Sequence, residues 1–295
     1  MKIALRNYTR VSGCTEDYFK VRAFLTKAAD DFFSFARWDW MIMSPQLDRS
    51  ALSRIGLWEH NGEIVGIAAF DTSLGKAFCF TLRGYEYLKN EILAYAQQHL
   101  QKDELFQVLI ADTDTVFQNI ALQTGYVATE EKEYVSCMPA RGRNLSFRLP
   151  DGFSITTLKD TFDLARYAAL LRSRFVGKAS GDEGITPQQI KQLERELIRP
   201  HIDLDLRIVV VAPSGEFASC CSIWYNASLR TAVAEPVAIN PAYHHMGLAK
   251  AAVYEAIRRS AALGAARILT GSMQQFYYDI GFCPHATYSW WKKGG

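Results

Sequence analysis

The chain has 295 residues, of which 49% are hydrophobic and 22% charged, with a formal net charge of +2. That length accommodates two domains, and so even a charge balance gives no electrostatic footprint for nucleic acid and no polybasic arm. No apolar run approaches the roughly 20 residues that span a bilayer, and the opening MKIALRNYTR turns polar by Arg6, without the apolar core of a signal peptide. The six cysteines (Cys14, Cys79, Cys137, Cys220, Cys221, Cys283) show no CxxC spacing. The pattern predicts reduced thiols in a cytoplasmic protein, with neither a metal site nor a disulfide framework.

In chain order, EDYFKVRAFLTKAADDFF reads as helix, and RIGLWEHNGEIVGIAAF (54–70) as two strands around an Asn-Gly turn. A third strand, KAFCFTL (76–82), leads to a helix over 85–100. A buried strand, LFQVLIA (105–111), is followed by the short helix FQNIALQTGY (117–126) and a closing strand, YVATEEKEYVSCM. The basic, Pro/Gly-punctuated stretch RNLSFRLPDG (144–153) reads as a linker. Beyond it the order repeats. Helical patterns TFDLARYAALLRSRF and PQQIKQLERELIR precede a hairpin, RIVVVAPSGEFASCCSIW (207–224), in which Gly215 aligns with Gly62 when Arg207 is set against Arg54. Then come a strand, TAVAEPVAI (231–239), a long helix (247–263), a strand, ARILTG (266–271), the short helix MQQFYYDIGF (273–282) and the strand CPHATYSWWKK. This recurrence predicts an α/β (α+β) architecture in two copies, 1–143 and 147–295, each a mixed, mostly antiparallel sheet flanked by helices.

The stretch NPAYHHMGLAK (240–250) opens the long helix of the second copy without Ser, Thr, Asp or Asn at its cap. Uncapped N–H groups at a helix start, next to small residues, suit a phosphate group. In EPVAINPAYHHMGLAKA (235–251) the second copy resembles the GNAT superfamily of acyl-CoA-dependent N-acetyltransferases. That family's signature is a strand, a proline turn and Arg/Gln-x-x-Gly-x-Gly/Ala opening a helix. His244 falls at the Arg/Gln position and Gly247 and Ala249 at the small positions. FYYDIGF (276–282) is similar to the family's Tyr-x-x-x-Gly-Phe motif. The first copy has RGYEYLKNEI in place of the loop and Ala121 opposite Tyr277, so it reads as a degenerate copy without a phosphate loop.

The resemblance implies that the backbone of His245, Met246, Gly247, Leu248, Ala249 and Lys250 cradles the pyrophosphate of acetyl-CoA, with His244 beside it. Val237 and Ile239 would pair with the pantetheine arm. Tyr277 would be the proton donor, with its neighbour Tyr278 as the fallback. No metal is implied. Acyl transfer to an amine needs a neutral nucleophile, a stabilised thioester oxygen and a donor to the leaving thiolate. Glu235, a charge within an apolar strand, is the candidate base if its carboxylate is buried; the competing readings are an exposed or ion-paired glutamate on the outward strand face, and a family-like loss of the proton through ordered water with no dedicated base. A backbone N–H near Val237 is the candidate oxyanion donor. The implied activity is transfer of an acetyl (acyl) group from acetyl-CoA to a primary amine of a small molecule or peptide, in a monomer or homodimer with no nucleic-acid or membrane partner. The alternatives are a non-catalytic acyl-CoA-binding or sensing protein, and a pure scaffold. Cys220 and Cys221 read as core thiols, and Phe32, Phe33, Phe35, Trp38 and Trp40 as packing aromatics. His201 reads as a surface-loop histidine, while His285 can face either a cleft or solvent. Substrate selectivity is expected in 176–186 and 41–53.

Overall fold

The computed structural model describes residues 2–173 and 185–294. They form two compact units. The first takes in the chain up to Ser136, with Gly271–Met273 and everything from Pro284 onward; the second holds Cys137–Thr270 and Gln274–Cys283.

The first unit begins with β1 (Ala4–Asn7), α1 (Glu16–Ala28) and α2 (Phe35–Met41). Thr15 caps α1, its hydroxyl accepting from the Tyr18 N–H, and Glu16 and Asp17 sit in the first turn, where the helix dipole favours acids. Strands β2 (Gly56–His60) and β3 (Glu63–Phe70) form the expected hairpin. Its Asn61-Gly62 turn has positive φ at both residues (54° and 80°), as a tight hairpin of matching twist requires. Strand β4 (Lys76–Thr81), α3 (Lys89–Leu100), β5 (Gln107–Ala111), α4 (Thr115–Gln123) and β6 (Tyr126–Pro139) follow.

The second unit contains β7 (Ser154–Thr157), α5 (Leu158–Thr161), α6 (Leu164–Ser173), α7 (Pro187–Leu197), β8 (Arg207–Val211), β9 (Phe217–Asn226), β10 (Thr231–Ile239), α8 (Leu248–Ala262), β11 (Arg267–Thr270) and α9 (Gln275–Asp279). The chain ends in β12 (Cys283–Lys293). Within this unit the sheet order is β11-β10-β9-β8-β7, with β10 and β11 parallel and the remaining pairs antiparallel. Leu248, Ala252, Val253, Ala256 and Ile257 of α8 fill one face of the sheet, against Ile208, Cys221, Ile223 and Ala232. Leu164, Tyr167 and Leu170 of α6 and Leu197 of α7 cover the other, against Val209 and Cys220. Each of these helices buries one apolar stripe, which is what anchors an amphipathic helix to a sheet.

The structure divides the chain differently from the sequence halves. The boundary falls between Ser136 and Cys137, and β12, read as the last strand of the second copy, belongs with the first unit. There it pairs antiparallel with β5, Tyr288 opposite Ala111 and Lys292 opposite Gln107. The first unit's order is therefore β1-β2-β3-β4-β5-β12-β6. Trp290 and Trp291 of β12 are buried; an alternating apolar strand of this kind satisfies any open sheet edge, and its sequence does not say which.

Candidate functional site

The site starts from the divergence of two strands. β10 runs parallel to β11 only over Thr231–Val233. One residue further on, the ladder with β9 shifts register: Ala234 pairs with Ile223 but Val237 pairs with Cys221. Glu235 and Pro236 thus stand opposite the single residue Ser222, a bulge of one extra residue that re-aims the strand. Pro236 explains part of this, since it has no N–H to offer a ladder. Glu235 is exposed, so the costly burial of its charge does not arise; the bulge lifts the carboxylate out of the apolar run. Its backbone carbonyl accepts the Trp224 indole N–H at 2.8 Å.

Beyond β10 the loop commits its first polar groups to itself. Asn240 Oδ1 accepts from the Ala242 N–H at 3.1 Å, and the N–H groups of Tyr243 and His244 donate to Asn240 and Pro241. The Tyr243 hydroxyl donates to Glu216 at 2.8 Å. The helix start differs. Gly247 is the N-cap of α8, left-handed at φ 76°, and no side chain caps the helix. The first helical bond across this turn runs from the Ala251 N–H to the Gly247 carbonyl at 3.0 Å. The N–H groups of Leu248, Ala249 and Lys250 therefore have no partner within the helix. His245 also has positive φ (62°). A Cβ placed on Gly247 would meet no atom within 4 Å, so the backbone angle, and not crowding by the protein, calls for glycine here.

One cavity of about 470 Å³ joins these features. Val237, Ala238 and Ile239 line it from β10, His244, His245, Gly247, Leu248, Ala249 and Lys250 from the loop and helix start, and Gln274, Phe276, Tyr277 and Ile280 from α9 and its flanks. All but one of the expected cofactor-binding residues lie on its wall. Met246 is the exception, 39% exposed and outside the lining. Uncapped amides, an extended strand edge and a dipole end of about +0.5 charge in one cavity fit a ligand that is both anionic and amide-bearing.

Tyr277 lines the cavity from α9. Its ring is held edge-on by Phe276 and Phe282, with centroids 5.1 and 5.6 Å away. Burial, reinforced by the Cys221 thiol and opposed by a hydrogen bond with Thr270, pushes its hydroxyl up to about 12, and the Glu235 charge acts in the same direction. The phenol thus keeps its proton throughout the neutral range, as a donor must. Tyr278 is half-buried and does not line the cavity. Sequence reasoning missed Ala238 on β10 and, beside Tyr277, Phe276 and Ile280. The only signal of the last two was the helical spacing around Tyr277, which marks packing and ligand contact alike.

The remaining candidates fall elsewhere. Cys220 and Cys221 are fully buried, and burial raises the Cys221 thiol far above its ordinary range, so it is not a nucleophile. Phe33, Phe35 and Trp38 are core residues, and Phe32 stacks on Phe78. Trp40 is 40% exposed. His201 is half-buried. His285 is exposed and lies in the first unit, its Nε2 2.8 Å from Asp31, beside a second cavity lined also by Asp30, Asp112 and Tyr288. Of the two expected selectivity segments, 41–53 folds into a short 3₁₀ turn over Arg49–Arg54 with Leu52 buried; most of 176–186 lies outside the described residues. No group of three or more metal-ligating side chains occurs among the described residues, and no helix among them is long and apolar enough to cross a membrane.

The first unit has the same helix in the same place, differently finished. A 3₁₀ turn over Glu86–Leu88 runs directly into α3, and the Lys89 N–H donates to the Glu86 carbonyl. The Glu86 carboxylate accepts from the Gly84 N–H at 2.8 Å and from its own N–H, and those bonds lower its pKa. Lys89 is buried and ion-paired with Asp114. Ala121, opposite Tyr277, is buried in α4.

Comparison with known proteins agrees with this geometry. Residues 172–282 match the Acetyltransferase (GNAT) family. A search of curated proteins finds no match. Among solved structures, a tandem GNAT protein from the clavulanic acid biosynthesis pathway aligns at TM-score 0.60 and 12% identity, covering 98% of both chains. A GCN5-related N-acetyltransferase from Sphaerobacter thermophilus aligns at 0.58 and 16%, covering 99% of this chain and 96% of that one. A GNAT-family acetyltransferase from Colwellia psychrerythraea aligns at 0.58 and 12%, covering 99% and 100%.

Proposed function

We propose that the chain is a tandem GNAT-superfamily protein, that its second unit is an acyl-CoA-dependent N-acyltransferase acting on a primary amine of a small molecule or peptide, and that its first unit is a degenerate copy without a phosphate loop; the family match over residues 172–282 supports this reading. The observation that carries this reading is the single cavity shared by the uncapped start of α8, the freed edge of β10 and the protonated Tyr277. We place the pyrophosphate on the amides of Gly247–Lys250 and the loop before them, and the pantetheine arm along Val237 and Ile239. Acetyl-CoA, when bound, supplies the thioester.

The chain's own groups then have separate tasks. Glu235, exposed at the bulge, takes the proton that an alkylammonium must lose before its nitrogen can attack. The bulged backbone at Val237 offers an N–H to the thioester oxygen as charge develops there. The Tyr277 hydroxyl gives its proton to the departing sulfur as the carbon–sulfur bond breaks and the amide bond forms. The proton balance closes when the second proton shed by the nitrogen, as the amide forms, passes to the Tyr277 phenolate and Glu235 releases the first to solvent. His244 stands where an arginine or glutamine is usual, and it keeps a hydrogen-bond donor without a permanent charge.

Free-thiol release from acetyl-CoA against a panel of amines, paired with CoA-induced thermal stabilisation, tests the reading. We expect stabilisation by CoA and turnover of at least one amine, with Tyr277→Phe keeping the first and losing most of the second. CoA binding without turnover of any amine would make the protein a binding module. Absence of stabilisation would remove both readings.

A further inference from the structure

The α6/α7 face of the second unit's sheet holds a cation that the acyl-transfer scheme leaves unused. Arg207, the first residue of β8, is 2% exposed, and among the described residues neither its Nε nor its Nη1 has a hydrogen-bond partner and it forms no ion pair. Its guanidinium lies over the Trp224 ring, 4.5 Å from the centroid. On the same face the Tyr167 hydroxyl of α6 meets the Ser222 hydroxyl of β9 at 2.8 Å. Desolvation lowers the Arg207 pKa, and Asp203 acts on it only through space. A buried charge is normally paired and hydrogen-bonded, because removing it from water without compensation is severely unfavourable. One aromatic face offsets part of that penalty and leaves Nε and Nη1 unanswered.

The register ties this cation to the acceptor side of the site. Arg207 pairs with Ser222, and Ser222 lies opposite the bulge, since its neighbours Ile223 and Cys221 pair with Ala234 and Val237. Arg207, Ser222 and the Glu235–Pro236 bulge therefore form one row across three adjacent strands, about 10 Å from end to end at the usual spacing. Trp224 links the two ends, with its ring against the guanidinium and its indole N–H on the Glu235 carbonyl.

We propose that Arg207 is the anion subsite for the acceptor: the amine that Glu235 deprotonates belongs to a short molecule carrying a carboxylate or phosphate a few bonds away. This rests on the acyltransferase reading above. The fork of a guanidinium matches either anion in bidentate fashion, and pairing in so dry a setting is stronger than at a surface. Since the guanidinium is almost fully covered, the anion reaches it only as the acceptor displaces what lies over it.

Acceptors matched in pairs provide the test: β-alanine against β-alaninamide, and phosphoethanolamine against ethanolamine, with acetyl-CoA and thiol release. The wild type is expected to favour the anionic member of at least one pair by tenfold or more in kcat/KM, and the pair that does so distinguishes carboxylate from phosphate. Arg207→Met, which replaces the buried charge with an apolar chain of similar length, is expected to bring that ratio close to one, chiefly through KM. Arg207→Lys should fall between. A purely structural Arg207 would shift the melting temperature of the Met variant and leave the ratio untouched, and that result would overturn the proposal, as would a wild type with no preference. If no amine is turned over, the acyltransferase reading fails by itself. Calorimetric titration of β-alanine and phosphoethanolamine into the CoA-mixed protein then decides the subsite: binding lost in Arg207→Met supports it, while binding absent from the wild type or equal in both overturns it.

Discussion

Two helices, α3 and α8, begin at corresponding points of the two units, and what they do with their first N–H groups separates a closed start from an open one. At α3 the chain answers its own amides: the 3₁₀ turn feeds into the helix, the Glu86 carboxylate takes the Gly84 and Glu86 N–H groups, and Lys89 is drawn into a pair with Asp114. At α8 a left-handed glycine stands at the cap, no side chain bonds back, and a cavity lies in front. Each solution obeys the same requirement, that helix-terminal amides find an acceptor. An internal carboxylate makes a stable scaffold; leaving the acceptor to a ligand makes a binding site. The short helices behave in parallel, with Ala121 filling the core of one unit and Tyr277 bringing a protonated phenol to the cavity of the other.

Converting the open start into the closed one should have the largest effect. Ala249→Glu places a carboxylate in the first turn of α8, where the dipole favours it by roughly 0.3–1 kcal/mol. The helix should therefore hold while the cavity is plugged and made negative. We expect CoA affinity to fall at least about 100-fold, near 3 kcal/mol, with a melting temperature equal to or above that of the wild type. Isothermal titration and thermal denaturation measure the two. Retained affinity would show that the amides of α8 are not the anion site.

Tyr277→Phe sharpens the second half of the comparison. Loss of a general acid lowers kcat by about 10²–10⁴, so we expect a fall in that range with CoA affinity within about threefold. Because burial holds the hydroxyl near 12, the wild-type rate should not decline on the alkaline side below that pH through loss of this proton. A falling limb near pH 9 that disappears in the Phe variant would contradict the assignment.

How much of this was legible beforehand differs by feature. The recurrence of elements was, because hairpin turns such as Asn61-Gly62 and apolar periods are local signals, and so was the bare helix start at Gly247. The placement of β12 was not: Trp290 and Trp291 show that the strand is buried without naming its partner. The bulge left a single trace, a proline inside a strand, and the exposure of Glu235 follows from the bulge alone. Arg207 looked like an ordinary residue before an apolar run, since its isolation depends on what three strands and α6 bring around it.

If the first unit is scaffold, its titratable groups should govern stability and leave cofactor binding alone. Asp30 gives the means of checking. Burial raises its carboxyl to about 6, against the pull of the Phe33 and Phe32 N–H groups. The folded state thus holds a proton that the unfolded chain releases near pH 4. This contribution is fully present below that point and is lost as pH rises through about 6, so the unit weakens over that window. Asp30→Asn keeps an oxygen for the two N–H groups, at 2.9 and 2.7 Å in the wild type, and removes the charge. The expected gain at pH 7.5 is of order 1–3 kcal/mol, vanishing by pH 4, with CoA affinity unchanged. A matching change in CoA binding would mean that the first unit does more than support.

The smallest expected effect concerns His244, on the cavity wall where an arginine or glutamine is usual for the motif. A histidine ring N–H donates to a phosphate much as a backbone N–H does, without the permanent charge an arginine would bring. Most of the affinity should then come from the several amides and a minor share from the side chain. We expect His244→Arg to tighten CoA binding a few-fold at pH 8, measured by isothermal titration. An arginine variant that binds no better at pH 8 would leave the open helix start, unaided by its neighbour, as the whole of the anion site.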